Sequence, residues 1–111
     1  MRDLKSFRKK VEGYYKQKNN KDGLRYTQRE LAEEIGINKD ELSKRLNSYE
    51  DPKTRRTWQL TDDDVLAIVR TLAKWSAITS QEQAIELLKM MTYPHISSID
   101  WKAEPLSYLR P

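Results

Sequence analysis

With 111 residues, a formal net charge of +4 and 34% charged residues, the chain has room for one small domain with a modest core. It holds no cysteine and a single histidine, His95, which excludes disulfides and thiolate metal sites and leaves carboxylates as the abundant metal ligands. No apolar run is long enough to cross a bilayer and the N-terminus lacks the apolar core of a secretory signal, so a cytoplasmic protein without a membrane partner is expected. The apolar residues cluster at helical spacing instead of being diluted, which predicts a folded helical domain and not a disordered one.

In chain order, Asp3 can cap a first helix running to about Lys18, with Leu4, Phe7, Val11 and Tyr14 or Tyr15 on one apolar stripe. The run Asn19-Asn20-Lys21-Asp22-Gly23 has turn chemistry throughout and ends that helix. Three later helix starts share one local design. Thr27 precedes Glu30, Asn38 precedes Glu41 and Thr61 precedes Asp64, each at the spacing of a capping box. Each cap also follows an apolar residue placed to staple the helix: Tyr26 with Leu31, Ile37 with Leu42, Leu60 with Val65.

The second helix therefore spans Thr27 to Ile35 with Leu31, Ala32 and Ile35 inward, and Gly36 ends it. A third follows at once, Lys39 to Asn47, with Leu42 and Leu46 inward. Helices this short are unstable alone and must be held by packing. Ser48 to Gln59 is a polar loop broken by Pro52, with Trp58 anchoring its end. A fourth helix, Thr61 to Trp75, buries Val65, Ile68, Val69, Leu72 and Trp75. A fifth, capped by Thr79 or Ser80, runs to about Met91 with Ala84, Leu87, Leu88 and Met91 on one side. The prediction is an all-α bundle of about five helices over residues 1–91, followed by a proline-containing apolar tail or linker, 92–111. That tail either docks on the domain, leads into another domain or binds a partner.

Charge is unevenly placed. From Met1 to Arg25 there are nine basic and three acidic residues, whereas Tyr26–Glu50 has four basic and six acidic. Asp51–Leu60 is basic again. Positive charge thus flanks the central helix pair, which is either an electrostatic footprint for a polyanion or simply a set of solvated helix faces.

The central stretch, YTQRELAEEIGINKDELSKRLN, resembles the helix-turn-helix DNA-binding family, above all its Cro/phage-repressor (XRE-like) group. The resemblance rests on Gln28 near the start of the first motif helix, Ala32 at the crossing, Gly36 in the turn, Ile37 after it and Leu42 inside the second helix. The end of the motif, ELSKRLN, is similar to the recognition helix of LacI-type repressors. Arg45 departs from the pattern, standing where an aliphatic residue is common and leaving the packing to Leu46. The resemblance implies that the second motif helix lies in the major groove, making Lys39, Asp40, Ser43 and Lys44 candidate base readers, with Arg45 beside them. It makes Thr27, Gln28, Asn38, Lys53, Arg55 and Arg56 candidate phosphate contacts. Folding alone accounts for Glu41 as a cap partner, and the helix dipole explains Asp40 as readily as base contact does. Gln28, Lys39, Ser43, Lys44 and Arg45 are the motif residues that capping and stapling leave unexplained.

Enzymatic features are lacking. Asp62, Asp63 and Asp64 read as helix-start carboxylates, His95 as a loop residue, and there is no phosphate loop, nucleophile–base pair or metal-ligand spacing, so neither activity nor cofactor is expected. The expected function is sequence-specific double-stranded DNA binding in prokaryotic transcription control, as a repressor or other regulator or as the DNA-binding module of a larger one. The stretch from Trp58 to Met91 and the tail beyond it are also similar to N-terminal helix-turn-helix modules of larger bacterial proteins, including signal-transduction ATPases. That likeness implies the alternative, a helical protein-interaction module joined to a downstream domain or partner. Repressors of this kind pair as homodimers; Leu87, Met90, Trp101 and Leu106 are the candidate dimer face, or else part of the monomer's core.

Overall fold

The computed structural model describes residues 2–111; Met1, the first residue of the predicted domain, lies outside the described residues. Its five helices are α1 (Leu4–Lys16), α2 (Gln28–Ile35), α3 (Lys39–Leu46), α4 (Asp62–Lys74) and α5 (Gln81–Met90), with 3-10 turns at Ile96–Ser98 and Leu106–Tyr108. The chain is an all-α bundle, as the periodicity predicts. Among the described residues no helix is long and apolar enough to cross a membrane.

The helix starts are decided by single side chains. Asp3 accepts from the Ser6 N–H at 3.2 Å, Thr27 Oγ1 from Glu30 at 3.2 Å and Asn38 Oδ1 from Glu41 at 2.7 Å. The reciprocal carboxylate bond expected at all three boxes forms only at Thr61/Asp64, and a further box closes at Ser80/Gln83. Glu30 instead meets Asn20 and the Thr27 hydroxyl, and Glu41 meets Arg45.

Helix ends follow a second common design. At Gly36, Ser48, Ser76 and Thr92 the backbone turns left-handed, with φ of 84°, 49°, 58° and 54°. In each case the next residue's N–H reaches back to a carbonyl in the last helical turn: Ile37 to Ala32, Tyr49 to Lys44, Ala77 to Leu72 and Tyr93 to Leu88. These are Schellman closures. Only Gly36 carries the residue that such a φ favours; the serines and the threonine hold it against the strain of a Cβ.

The core is continuous. Phe7, Val11 and Tyr15 from α1, Leu31 and Ala32 from α2, and Leu42 and Leu46 from α3 join the inward faces of α4 and α5. α4 is central, packing on α1, α2, α5 and the second 3-10 turn, while α3 packs on α2. Tyr26 stacks on Trp75 with ring centroids 3.9 Å apart, and Tyr15 meets Trp75 edge-on. Tyr26 thus joins the entry of α2 to the end of α4 in addition to its expected role as a staple.

The last twenty residues lie on the bundle. Leu106 and Leu109 are buried, and Arg110 bonds through its N–H to the Thr79 carbonyl and through its carbonyl to the Gln81 N–H. Leu87 and Leu106, expected as part of a dimer face or of the monomer's core, are 0% and 1% exposed and belong to the core. Arg2 clamps the other terminus, donating to the Met91 and Leu60 carbonyls and to Asp62.

The strain at α5 sets a test. Replacing exposed Thr92 by glycine should raise unfolding free energy by about 1 kcal/mol, since a β-branched residue gives up a left-handed φ. Urea denaturation measures it, and an unchanged midpoint would mean that the turn is not strained.

Candidate nucleic-acid interface

α3 has two turns, and burial divides its residues by face. Leu42 and Leu46 are 0% and 4% exposed and point into the bundle. At 100° per residue, Asp40, Lys44 and Asn47 fall on the opposite, outward stripe. Lys39 and Ser43 lie on one flank, Glu41 and Arg45 on the other. Lys39, Asp40 and Lys44 are exposed, and Ser43 is half-buried.

Arg45 is not a free cation. Its guanidinium donates to Asp64 Oδ2 at 2.7 Å and to Glu41 Oε1 at 2.6 Å, with the three side chains largely covered. Burial alone would favour the neutral guanidine, but the bonds from Asp64 and then Glu41 outweigh it and hold the charge more firmly than usual. The same Asp64 oxygen accepts the Thr61 N–H at 3.0 Å, so one carboxylate caps α4 and fastens α3 to it. Capping and stapling do not explain Arg45; the tertiary structure supplies a folding role for it.

The polar loop after α3 is an ordered hairpin. Tyr49 O accepts the Trp58 N–H and Arg56 O the Asp51 N–H, each at 2.8 Å, around the bridge between Glu50 and Thr57. Asp51 Oδ1 accepts from the N–H of Lys53 and of Thr54, tightening the tip. The Lys44 ammonium lies 5.6 Å from the Tyr49 ring centroid and 5.2 Å from that of Trp58, and the Arg56 guanidinium lies over Trp58 at 4.3 Å. These are cation–π distances, so Trp58 anchors the loop by clasping α3.

Other predicted site residues fall into two groups. Asn38 and Lys39 open α3, and Lys53, Arg55 and Arg56 surround the hairpin tip. Thr27 and Gln28 start α2, and among the described residues no side-chain hydrogen bond joins them to α3. Thr27 spends its hydroxyl on capping, whereas Gln28 is half-buried with no side-chain bond that explains it.

Two neighbours of the site escaped the sequence reading. Arg8 donates to the Asn47 amide oxygen, bringing a cation of α1 to the end of α3, and Asn47 Nδ2 in turn caps the Ser43 carbonyl. Tyr49, 43% exposed, is the other. An aromatic residue at each end of a turn-rich stretch was the available signal for a hairpin; nothing local marks the Arg8–Asn47 pair, thirty-nine residues apart.

Among the described residues Lys39, Lys44, Lys53 and Arg56 have no carboxylate partner, and Arg55 has only Glu50, at 3.7 Å on an open surface. On α3, Glu41 is paired with Arg45, which it shares with Asp64, and Asp40 is left as that helix's unpaired carboxylate. A cleft also lies over the Tyr26–Trp75 stack, and its Glu30, Glu33 and Glu34 are engaged by Asn20, Arg29 and Lys74. No group of three or more His, Asp or Glu suited to a metal ion occurs among the described residues. Comparison with protein-family models, curated proteins and solved structures returned no match.

Arg45 and Lys44, adjacent in sequence, should behave oppositely. Arg45→Met leaves Asp64 and Glu41 without their cation and should lower stability by about 1–3 kcal/mol, while Lys44→Met should stay within about 1 kcal/mol. Urea unfolding compares them; equal losses would remove the structural role assigned to Arg45.

Proposed function

We propose that this chain binds double-stranded DNA sequence-specifically, as a prokaryotic transcription regulator or as the DNA-binding module of a larger one. The observation that carries the reading is the set of unpaired cations around one exposed helix stripe: Lys39 and Lys44 on α3, Lys53 and Arg56 on the hairpin fastened to it. Cations without carboxylate partners are free to displace the counterions that surround a duplex. A helix of this width fits the major groove, where lysine donates to guanine and aspartate accepts from cytosine N4.

In this reading Lys39, Asp40, Ser43 and Lys44 face base edges. Asn38, Lys53 and Arg56 hold phosphates, with Thr27 and Gln28 as contacts from the start of α2. Arg45 is removed from the readers and becomes a positioning residue, because its guanidinium is occupied. Asp40 lends selectivity: it repels phosphate and is favourable only where a base presents a donor. A chain with that residue on its reading stripe is suited to choosing a sequence more than to coating DNA at large.

Selection from a random duplex library should enrich a defined motif. Removing Lys53 or Arg56 should weaken binding to all duplexes alike and lower the salt slope by about one for each phosphate no longer neutralised. Lys44→Ala should instead cost about 1–3 kcal/mol of discrimination at one base pair. A library that enriches nothing, with no binding at low salt, would sink the DNA reading and favour the protein-docking alternative.

A further inference from the structure

The hairpin 49–58 has more organisation than a set of phosphate contacts requires. It leaves α3 through a closed turn, with the Tyr49 N–H on the Lys44 carbonyl at 3.0 Å, so its direction is set by the helix. Its stem is paired, its tip is tightened by Asp51, and its base is clasped to α3 through Lys44 between Tyr49 and Trp58. The cations around the tip then differ in what occupies them. Arg56 lies over the indole of Trp58, which fixes it beside the stem while leaving its N–H groups open to a phosphate. Arg55 stands in the left-handed region with φ of 62°, and its side chain is 84% exposed. Its one acidic partner, Glu50, is held at 3.7 Å and itself exposed, a pairing that solvent weakens.

From these features we propose that Arg55 enters the minor groove next to the major-groove segment occupied by α3, and that it selects A·T-rich flanking sequence. The inference rests on the DNA binding proposed above and adds a second reading element to it. A hairpin arm of four residues reaches about 13 Å at ~3.3 Å per residue, enough to cross the sugar–phosphate ridge beyond the end of a helix seated in the major groove. A·T tracts narrow the minor groove and deepen its negative potential, which draws a cation inserted there. Guanidinium is more weakly hydrated than ammonium and loses less on leaving water, so arginine suits this position better than lysine. Lys53, beside Arg55 at the tip, is left to the phosphates on the groove edge. The aromatic clasp holds the distance between α3 and the tip constant, so the flank read by Arg55 sits at a fixed spacing from the core motif.

The test uses the full chain and the core motif obtained from the duplex library. Affinity is measured on duplexes with one core and three flanks: A·T, G·C, and inosine·C, which presents the minor groove of A·T with the major-groove edge of a purine like guanine. The wild-type chain should prefer A·T and inosine·C flanks over G·C by about 5- to 10-fold. Arg55→Gly, which suits the positive φ, should abolish the flank preference while leaving the preference for the core motif intact. Arg55→Lys should retain the salt dependence but lose most of the flank preference. Equal wild-type affinity for all three flanks overturns the inference. So does an Arg55→Gly loss that is the same on every flank, which would make the tip a phosphate contact only. If the wild-type chain binds no core motif, the DNA reading and this inference fall together.

Discussion

Arg45 sits where three requirements of this small fold meet. α3 is an eight-residue helix that buries only Leu42 and Leu46, too short to be stable without further fastening. The guanidinium supplies the missing constraint by holding Glu41 on its own helix and Asp64 at the start of α4. Because Asp64 also closes the capping box on Thr61, the position of α3 and the start of the central helix are set by one carboxylate. Leu42 and Leu46 set which face of α3 points inward, and that junction fastens the helix in place with its outward stripe presented.

The same junction partitions charge. Glu41 and Asp64 are used internally, and so is the Arg45 cation that holds them. Among the described residues Lys39 and Lys44 carry no ion pair, and the hairpin adds Lys53, Arg55 and Arg56 to the same region together with Glu50 and Asp51. Of the α2 carboxylates, Glu30 and Glu34 are engaged by Asn20 and Lys74 around the Tyr26–Trp75 stack, while Glu33, paired with Arg29, lines a cleft with Asn38, Lys39 and Asp40 at the start of α3. A chain of modest net charge thereby places four cations without carboxylate partners among the described residues, Lys39, Lys44, Lys53 and Arg56, at α3 and the hairpin.

Much of the fold was legible because its signals are local. Asp3, Thr27, Asn38, Thr61 and Ser80 act on N–H groups three residues away, so each helix start follows from a short word of sequence. Leu31 with Ala32, and Val65 through Leu72, follow from helical period alone. Helix ends were less legible. Gly36 announces its turn, but Ser48, Ser76 and Thr92 adopt the same left-handed backbone without the residue that favours it. Packing on either side imposes the conformation there, and packing leaves no local mark. The candidate site divides likewise: spacing places Lys39, Asp40, Ser43 and Lys44 on or beside the outward stripe, whereas it cannot explain Arg45, whose partner lies nineteen residues on.

The sequence by itself determined the all-α class, the five helices, their inward faces and the short list of residues that capping and packing leave free. Those properties depend on interactions within one or two helical turns, where spacing alone decides who meets whom. The tertiary structure decided the rest: that Arg45 is spent on Asp64 and Glu41, that a polar loop is a hairpin clasped to α3 by Lys44 and Trp58, and that the apolar tail completes the core. Each of these is a pairing of groups distant in sequence, chosen by the packing of the whole chain. In the linear order, an arginine bound in an ion pair and one held out to solvent look alike.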